Sequence, residues 1–366
     1  MARKLKSDKL LFLATLFLLC TSVVMVYSAS ALLSMDRYDQ PYFFLFKQIA
    51  WAALGVCLLA GVMQVDYRQL KQPVVIWSAL GVSILALIAV FFGPEINGTR
   101  RWLGIVGIGV QPSELAKLTV IIFTAAILER RMDRIDEVSY SLLPIAMVTG
   151  VICGLIVLEP DVGTALTVLL IVGTMVFAAG LSYRYLVGVG LAVLPLMYVI
   201  LAAENYRRRR LLSFLDPWGD PLGDGFQIIQ SLIAVGTGGV FGRGLMGGLQ
   251  KLFYLPEPHT DFIYAVIAEE TGLIGATVIL LCFVVITWRG FRVAALAPDR
   301  FGTFLALGLT TMVAFQAFIN ISVVLSLLPT KGLPLPFVSA GGSSLLINLL
   351  GMGVLLKISQ HASAEE

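Results

Sequence analysis

The sequence predicts an all-α, polytopic integral membrane protein of about ten transmembrane helices, with one large structured extracytoplasmic loop. Three observations carry that prediction. Hydrophobic residues make up 58% of the 366 residues, charged residues only 13%, and mean hydropathy is +0.90, whereas a soluble domain is about half apolar and about a quarter charged. Apolar runs of membrane-crossing length recur along the chain. Lys and Arg gather in alternate connections between those runs, which is the charge bias of a multi-pass protein.

A helix crosses a bilayer with ~20 mostly apolar residues. Ten segments meet that need, near 9–29, 43–65, 73–93, 113–129, 140–158, 163–180, 186–203, 261–287, 303–328 and 343–358. The first follows Arg3, Lys4, Lys6 and Lys9 and stays apolar to about Val26. That exceeds the ~7–15-residue core of a signal peptide. An uncleaved first helix is therefore predicted, although Ala29-Ser30-Ala31 resembles a cleavage site. Arg68 and Lys71 follow the second segment, Arg130, Arg131 and Arg134 the fourth, Arg184 the sixth, and Arg289, Arg292 and Arg300 the eighth. All fall on one side, predicted to be the cytoplasm, so both termini are expected inside. No separate soluble domain is visible, and residues 1–366 read as a single membrane domain.

Residues 204–260 are too many for a simple connector, since structureless loops beyond ~12–15 residues are functional or disordered. The stretch is not disordered in composition. Asp-Pro pairs and glycines form turns, the apolar run from about Ile228 to Gly236 reads as a helix, and a Gly-rich segment follows. A re-entrant or interfacial element over the outer mouth of the bundle is predicted.

Several function classes are excluded. Cys20, Cys57, Cys153 and Cys282 lie in apolar runs without metal-ligand spacing, where Cys behaves as a small hydrophobe. The two histidines, His259 and His361, are too few for a His-rich metal centre. There is no Walker glycine loop, and no nucleic-acid partner is predicted.

The opposite, outer side concentrates its cations: Arg100 and Arg101, Arg207 to Arg210, Arg243, Lys251 and Lys331. They either mark a displaced topology or headgroup contacts, or they bind an anionic substrate, for which the arginine fork suits phosphate. Trp102 beside Arg101 reads as a belt residue or as part of that site. Glu114 and Lys117 are three apart on one helix face, as structural glue or as the lining of a cavity. Asp216, Asp220 and Asp224 recur every four residues, but neighbouring Pro and Gly favour turns over a metal site. Asp161 reads as a helix cap. Leu328–Ser344 packs prolines and glycines around Lys331, as backbone lining a cavity does. In Glu257–Gly272, polar His259, Thr260 and Asp261 open a segment that carries Glu269 and Glu270. Asp261 is either an N-cap or a functional carboxylate at a membrane mouth.

At these residues the chain resembles the SEDS family (shape, elongation, division and sporulation) of peptidoglycan glycosyltransferases. The likeness spans nearly the whole chain and is strongest at Gly98–Lys117, Asp216–Gly239, Tyr254–Gly272 and Leu328–Ser344. Leu-Pro-Thr-Lys-Gly at 328–332 and Gln316–Asn320 look like the septal rather than the elongation member, while Ala340 stands where most relatives have Tyr. The resemblance implies ten helices and a polymerase of lipid II outside the bacterial inner membrane, at the division septum. It implies an essential Asp261 and basic positions Arg101, Arg207 and Lys331. It also implies a buried Glu114–Lys117 pair, a class B penicillin-binding protein as transpeptidase partner and other divisome membrane proteins. A divalent cation (Mg or Mn) is implied for the family, with no ligand motif here.

The expectation is therefore an inverting transfer with Asp261 as general base. Arg101, Trp102, Glu114, Lys117, Arg207, His259, Thr260 and Lys331 are the candidates for binding lipid II and the polyprenyl-pyrophosphate-linked glycan. An elongation polymerase, a lipid II flippase and a non-catalytic scaffold are the competing readings. A transporter would place its polar groups nearer the midplane.

Overall fold

In the computed structural model the described residues are 7–93, 95, 99–105, 108–134, 137–185, 187, 188, 190, 191, 195, 209, 212–223, 225–252 and 254–362. Among them the first three helices are α1 (Lys9–Tyr38), α2 (Phe43–Val62) and α3 (Pro73–Val90). A short antiparallel hairpin, β1 (Leu103–Ile105) with β2 (Ile108–Val110), pairs Gly104 with Gly109. Then follow α4 (Pro112–Arg131), α5 (Leu143–Leu158), α6 (Val162–Ala178), α7 (Phe226–Gly238), α8 (Ile263–Ala295), α9 (Arg300–Val324) and α10 (Gly342–Ala362). The sequence reading did not anticipate this hairpin.

Nine of the ten segments expected from hydropathy coincide with helices. The tenth, near 186–203, lies largely outside the described residues. Among the described residues, seven helical segments are long and apolar enough to cross a membrane. This is a membrane protein. α6 is apolar but shorter, and α4 carries too many polar groups to qualify by composition. Burial explains α4. Most of its length is enclosed by protein, so it need not present an apolar surface to lipid.

The centre of the bundle is α9, packed against α4, α6, α8 and α10. In α9 and α10, 78% and 72% of the spanning stretch is buried, against 22–39% in the other spans. Helix starts are fixed by aspartates, as N-caps usually are. Asp8 accepts from Leu11 N at 3.1 Å, Asp161 from Thr164 N at 3.1 Å and Asp299 from Gly302 N at 2.8 Å.

Ion pairs define one end of the bundle. Asp8 meets Arg289 at 2.6 Å, Arg68 meets Asp299 at 3.0 Å, Lys71 meets Glu129 at 2.8 Å and Arg300 meets Asp133 at 3.0 Å. These are cations the sequence assigned to one side, and they do share one end. Tyr67 also donates to Asp299. Burial opposes ionisation of Asp299, but the bonds from Tyr67, Gly302 N and Arg68 outweigh it and hold the carboxyl below its ordinary range. The start of α8, with Asp261 just before it, lies at the opposite end.

The segment 239–251 is folded against α8 rather than lying loose. α8 breaks at Gly272, where φ is 68°, a left-handed value that favours glycine. Across the break, Leu273 N donates to Gly239 O at 2.9 Å, and Arg243 N and Gly244 N donate to Glu269 O and Glu270 O, each at 3.0 Å. The backbone groups freed by the kink are thereby satisfied, as a low-dielectric setting demands. The two carboxylates finish the clamp. Glu269 accepts from Leu249 N at 2.8 Å. Glu270 accepts from Met246 N at 2.9 Å and from Ser28, and pairs with Lys251 at 2.5 Å. The adjacent acids noted in the sequence hold the segment 239–251 in place.

Candidate functional site

Asp261 stands one residue before the cap position of α8, which is Phe262. Its carboxylate lies against the segment after α9. A Cβ built on Gly332 would come within 3.0 Å of Asp261 Oδ2. A side chain at this position would press the carboxylate away from the backbone, and Lys331 is the neighbour of Gly332 in sequence.

The strap 328–341 runs non-helically between α9 and α10, with Leu333, Leu335, Phe337 and Val338 buried. Its peptide groups are gripped from several helices. Asn320 on α9 donates to Leu333 O at 2.7 Å and to Asp261 O at 2.8 Å. Gln316, one turn earlier, donates to Pro334 O at 3.1 Å. Ser339 Oγ donates to Thr260 O at 2.6 Å, and Ser22 on α1 donates to Val338 O at 2.8 Å. Covered by protein in this way, non-helical backbone is tolerated at membrane depth.

Lys331 reaches the start of α6. The Lys331 Cδ and the Asp161 carboxylate both flank Gly163, at 3.6 and 3.7 Å from the position a Cβ would take there. Burial pulls the Lys331 ammonium below the ordinary lysine range, and Asp161 opposes that shift. Asp161 therefore does more than cap α6. It also accepts from Gln111 Nε2 at 3.2 Å, and Gln111 N donates to Ser343 Oγ at 3.2 Å.

Arg101 closes the cluster from the other side. Its Nε donates to Glu159 O at 3.0 Å and an Nη to Pro160 O, which uses two of its five N–H donors. The Glu159 side chain is 1% exposed, and neither carboxyl oxygen has a hydrogen-bond partner. Burial and then Asp161 push its carboxyl up to about 8, with Arg101 opposing. Near neutral pH it is a neutral acid.

The remaining candidates sit elsewhere. Lys117 pairs with Glu114 at 2.8 Å in the bundle interior, both about 1% exposed. Lys117 also donates to Gln316 at 3.1 Å, so this pair braces the residue that grips Pro334. His259 packs its ring on Phe44 of α2, 4.8 Å between centroids. Burial lowers its imidazole below the ordinary range, Glu257 opposes, and Arg37 adds to the lowering. Thr260 turns its hydroxyl to Glu257. Trp102 is half-buried, with its ring beneath Gly109 of the hairpin. Arg207 lies outside the described residues, as does Asp224. Asp220 accepts from Gly223 N at 3.1 Å, in keeping with the turn reading of the spaced aspartates.

The sequence reading missed Glu159, and it gave Gln111 and Asn320 no role in the site. A usable signal existed for α9. Gln316 and Asn320 lie four apart on one face of an otherwise apolar helix, and polar groups inside a span must find partners. Among the described residues no three His, Cys, Asp or Glu side chains converge to hold a divalent cation.

A family profile described as a cell cycle protein family, FtsW/RodA/SpoVE, matches residues 8–364. This chain belongs to the FtsW/RodA/SpoVE family. Among the relatives of this FtsW/RodA/SpoVE chain is a probable peptidoglycan glycosyltransferase FtsW of Geobacter sulfurreducens, 43% identical over 96% of this chain and 95% of the relative. Stage V sporulation protein E of Bacillus subtilis is 42% identical over 98% of this chain and 99% of its own. Two solved structures share the architecture. One is a chain from a study of how a peptidoglycan synthase complex coordinates polymerisation and crosslinking. It has a TM-score of 0.81 and 34% identity, over 98% of this chain and 99% of that one. The other is the rod shape determining protein RodA of Thermus thermophilus, with a TM-score of 0.71 and 30% identity, over 97% of each chain.

Proposed function

We propose that this protein is a peptidoglycan glycosyltransferase that polymerises lipid II into β-1,4 glycan strands for the septal wall. The observation that carries the assignment of roles is the seat of Asp261 on the Lys331–Gly332 backbone, at the same end of the bundle as Asp161 and Arg101. A carboxylate that shares one membrane mouth with two cations suits a sugar hydroxyl meeting a lipid pyrophosphate. It suits a midplane transport site less well.

Asp261 is the general base. It accepts the proton of the acceptor's 4-hydroxyl as that oxygen attacks the anomeric carbon of the donor. The bond from that carbon to the pyrophosphate oxygen breaks, and the α-linkage becomes β by direct displacement. Pyrophosphate leaves as an anion, so a general acid is dispensable. Lys331 and Arg101, with Arg207, stabilise the charge that grows on it. The site faces the outside of the bacterial inner membrane, with both termini in the cytoplasm. Its partner is a class B penicillin-binding protein, within the set of divisome membrane proteins. The relative from a synthase complex that couples polymerisation with crosslinking supports that pairing.

The test is Asp261→Asn in purified, membrane-reconstituted protein supplied with lipid II. Polymer formation should disappear while insertion and thermal stability stay at wild-type values. Wild-type polymer yield from the variant removes Asp261 as the base. Translocated but unpolymerised lipid II from the unaltered protein removes the polymerase reading itself.

A further inference from the structure

α9 carries two carboxamides one turn apart on one face. Gln316 takes Pro334 O of the strap. Asn320 spends its two N–H donors on two different segments, Leu333 O at 2.7 Å and Asp261 O at 2.8 Å. The opposite amide orientation would aim an oxygen at two carbonyl oxygens, so the hydrogen-bond partners fix which atom is nitrogen. Asn320 is 2% exposed and its Oδ1 has no partner. A side chain kept only for packing would not bury an unpaired oxygen at that spot. The donors are what the position uses. Leu333 is two residues beyond Lys331, so one amide ties the backbone of the carboxylate to the backbone of the cation.

We propose that Asn320 is a positioning residue for glycosyl transfer, holding Asp261 and the Lys331 strap in fixed register through its two N–H bonds. The inference rests on the polymerase reading for its kinetic consequence and on geometry alone for its structural one. Asn320 does not touch the reacting atoms. It sets how far the proton acceptor stands from the groups that receive the pyrophosphate. Lys117 on α4, bonded to Gln316, supports the same strap one turn earlier in α9.

The experiment uses the full chain with Asn320→Asp, which keeps the shape and loses the paired donors, and Asn320→Leu, which removes all polarity. Turnover of lipid II should fall about 100-fold, the cost of roughly 1 Å of misplacement, with apparent KM within about threefold of wild type. Amide exchange over 259–263 and 331–335 should rise together, with α9 itself still protected. A purely packing role predicts neither the split between kcat and KM nor the joint rise in exchange. Near-normal turnover, a change confined to KM, or exchange that stays slow in either segment overturns the proposal. Should Asn320→Leu fail to fold, Asn320→Asp decides. Unaltered protein and Asp261→Asn are run beside both. A wild-type protein that makes no polymer refutes the polymerase reading, while the exchange data still decide whether Asn320 joins the two segments.

Discussion

The clamp on the segment 239–251 gives a prediction whose size follows from the structure. Lys251 and Glu270 form a 2.5 Å pair, with side chains 5% and 0% exposed. Lys251→Met leaves the Glu270 carboxylate with the Met246 amide and the Ser28 hydroxyl but without its cation. Removing one member of a buried pair costs about 3–5 kcal/mol, whereas replacing both members by well-packed neutral groups is close to neutral. The segment 239–251 is the part held by this pair, so the loss appears as opening of that segment. The Arg243–Gly244 bond lies within it and is a trypsin site. When reclosing is fast, cleavage follows the open population, and ~3 kcal/mol raises that population on the order of 100-fold. Cleavage after Arg243, read by mass spectrometry on the membrane-embedded protein, should accelerate by that factor in Lys251→Met and in Glu270→Gln. The double variant should return most of the way to the wild-type rate. Single variants cut less than about fivefold faster, or a double variant whose effects simply multiply, would refute the buried-pair reasoning.

Two further outcomes follow from the site. Gly332→Ala places a Cβ 3.0 Å from Asp261 Oδ2. The carboxylate must give way, and lipid II polymerisation should drop about tenfold without loss of thermal stability. Glu159 supplies a pH dependence. Its carboxyl titrates near 4.5 when unfolded and is pushed up to about 8 in the fold. Between those values the native state holds the extra proton, so this group's contribution to stability declines as pH rises and is lost above about 8. Glu159→Gln should remove that slope, so its melting temperature relative to wild type should climb from pH 5 to pH 8. A constant difference between the two proteins across that range would count against a neutral Glu159.

Much of the fold was legible because the bilayer is a demanding solvent. A spanning segment must be apolar for ~20 residues and must satisfy its own backbone, and both requirements are local. Hence α1, α2, α3, α5, α8, α9 and α10 could be placed from composition alone. α4 was placed despite Glu114 and Lys117, which its position inside the bundle makes tolerable. Asp161 was legible as a cap because capping is also local. Its contacts with Gln111 and Lys331 were not, since they join residues from three distant segments.

The sequence by itself determined that this is a polytopic membrane protein, which helices it contains, and which polar residues stand at one mouth. Those follow from hydropathy, cap chemistry and charge placement, each readable within a short window. The tertiary structure alone decided which of those polar residues meet. It seated Asp261 on Gly332 and turned His259 towards Phe44. It drew Glu159 out of water and used Glu269 and Glu270 to fasten the segment 239–251. The physical reason is that a hydrogen bond such as that from Asn320 to Asp261, or the pairing of Lys251 with Glu270, depends on how kinked helices and non-helical straps pack, and no local pattern encodes that separation.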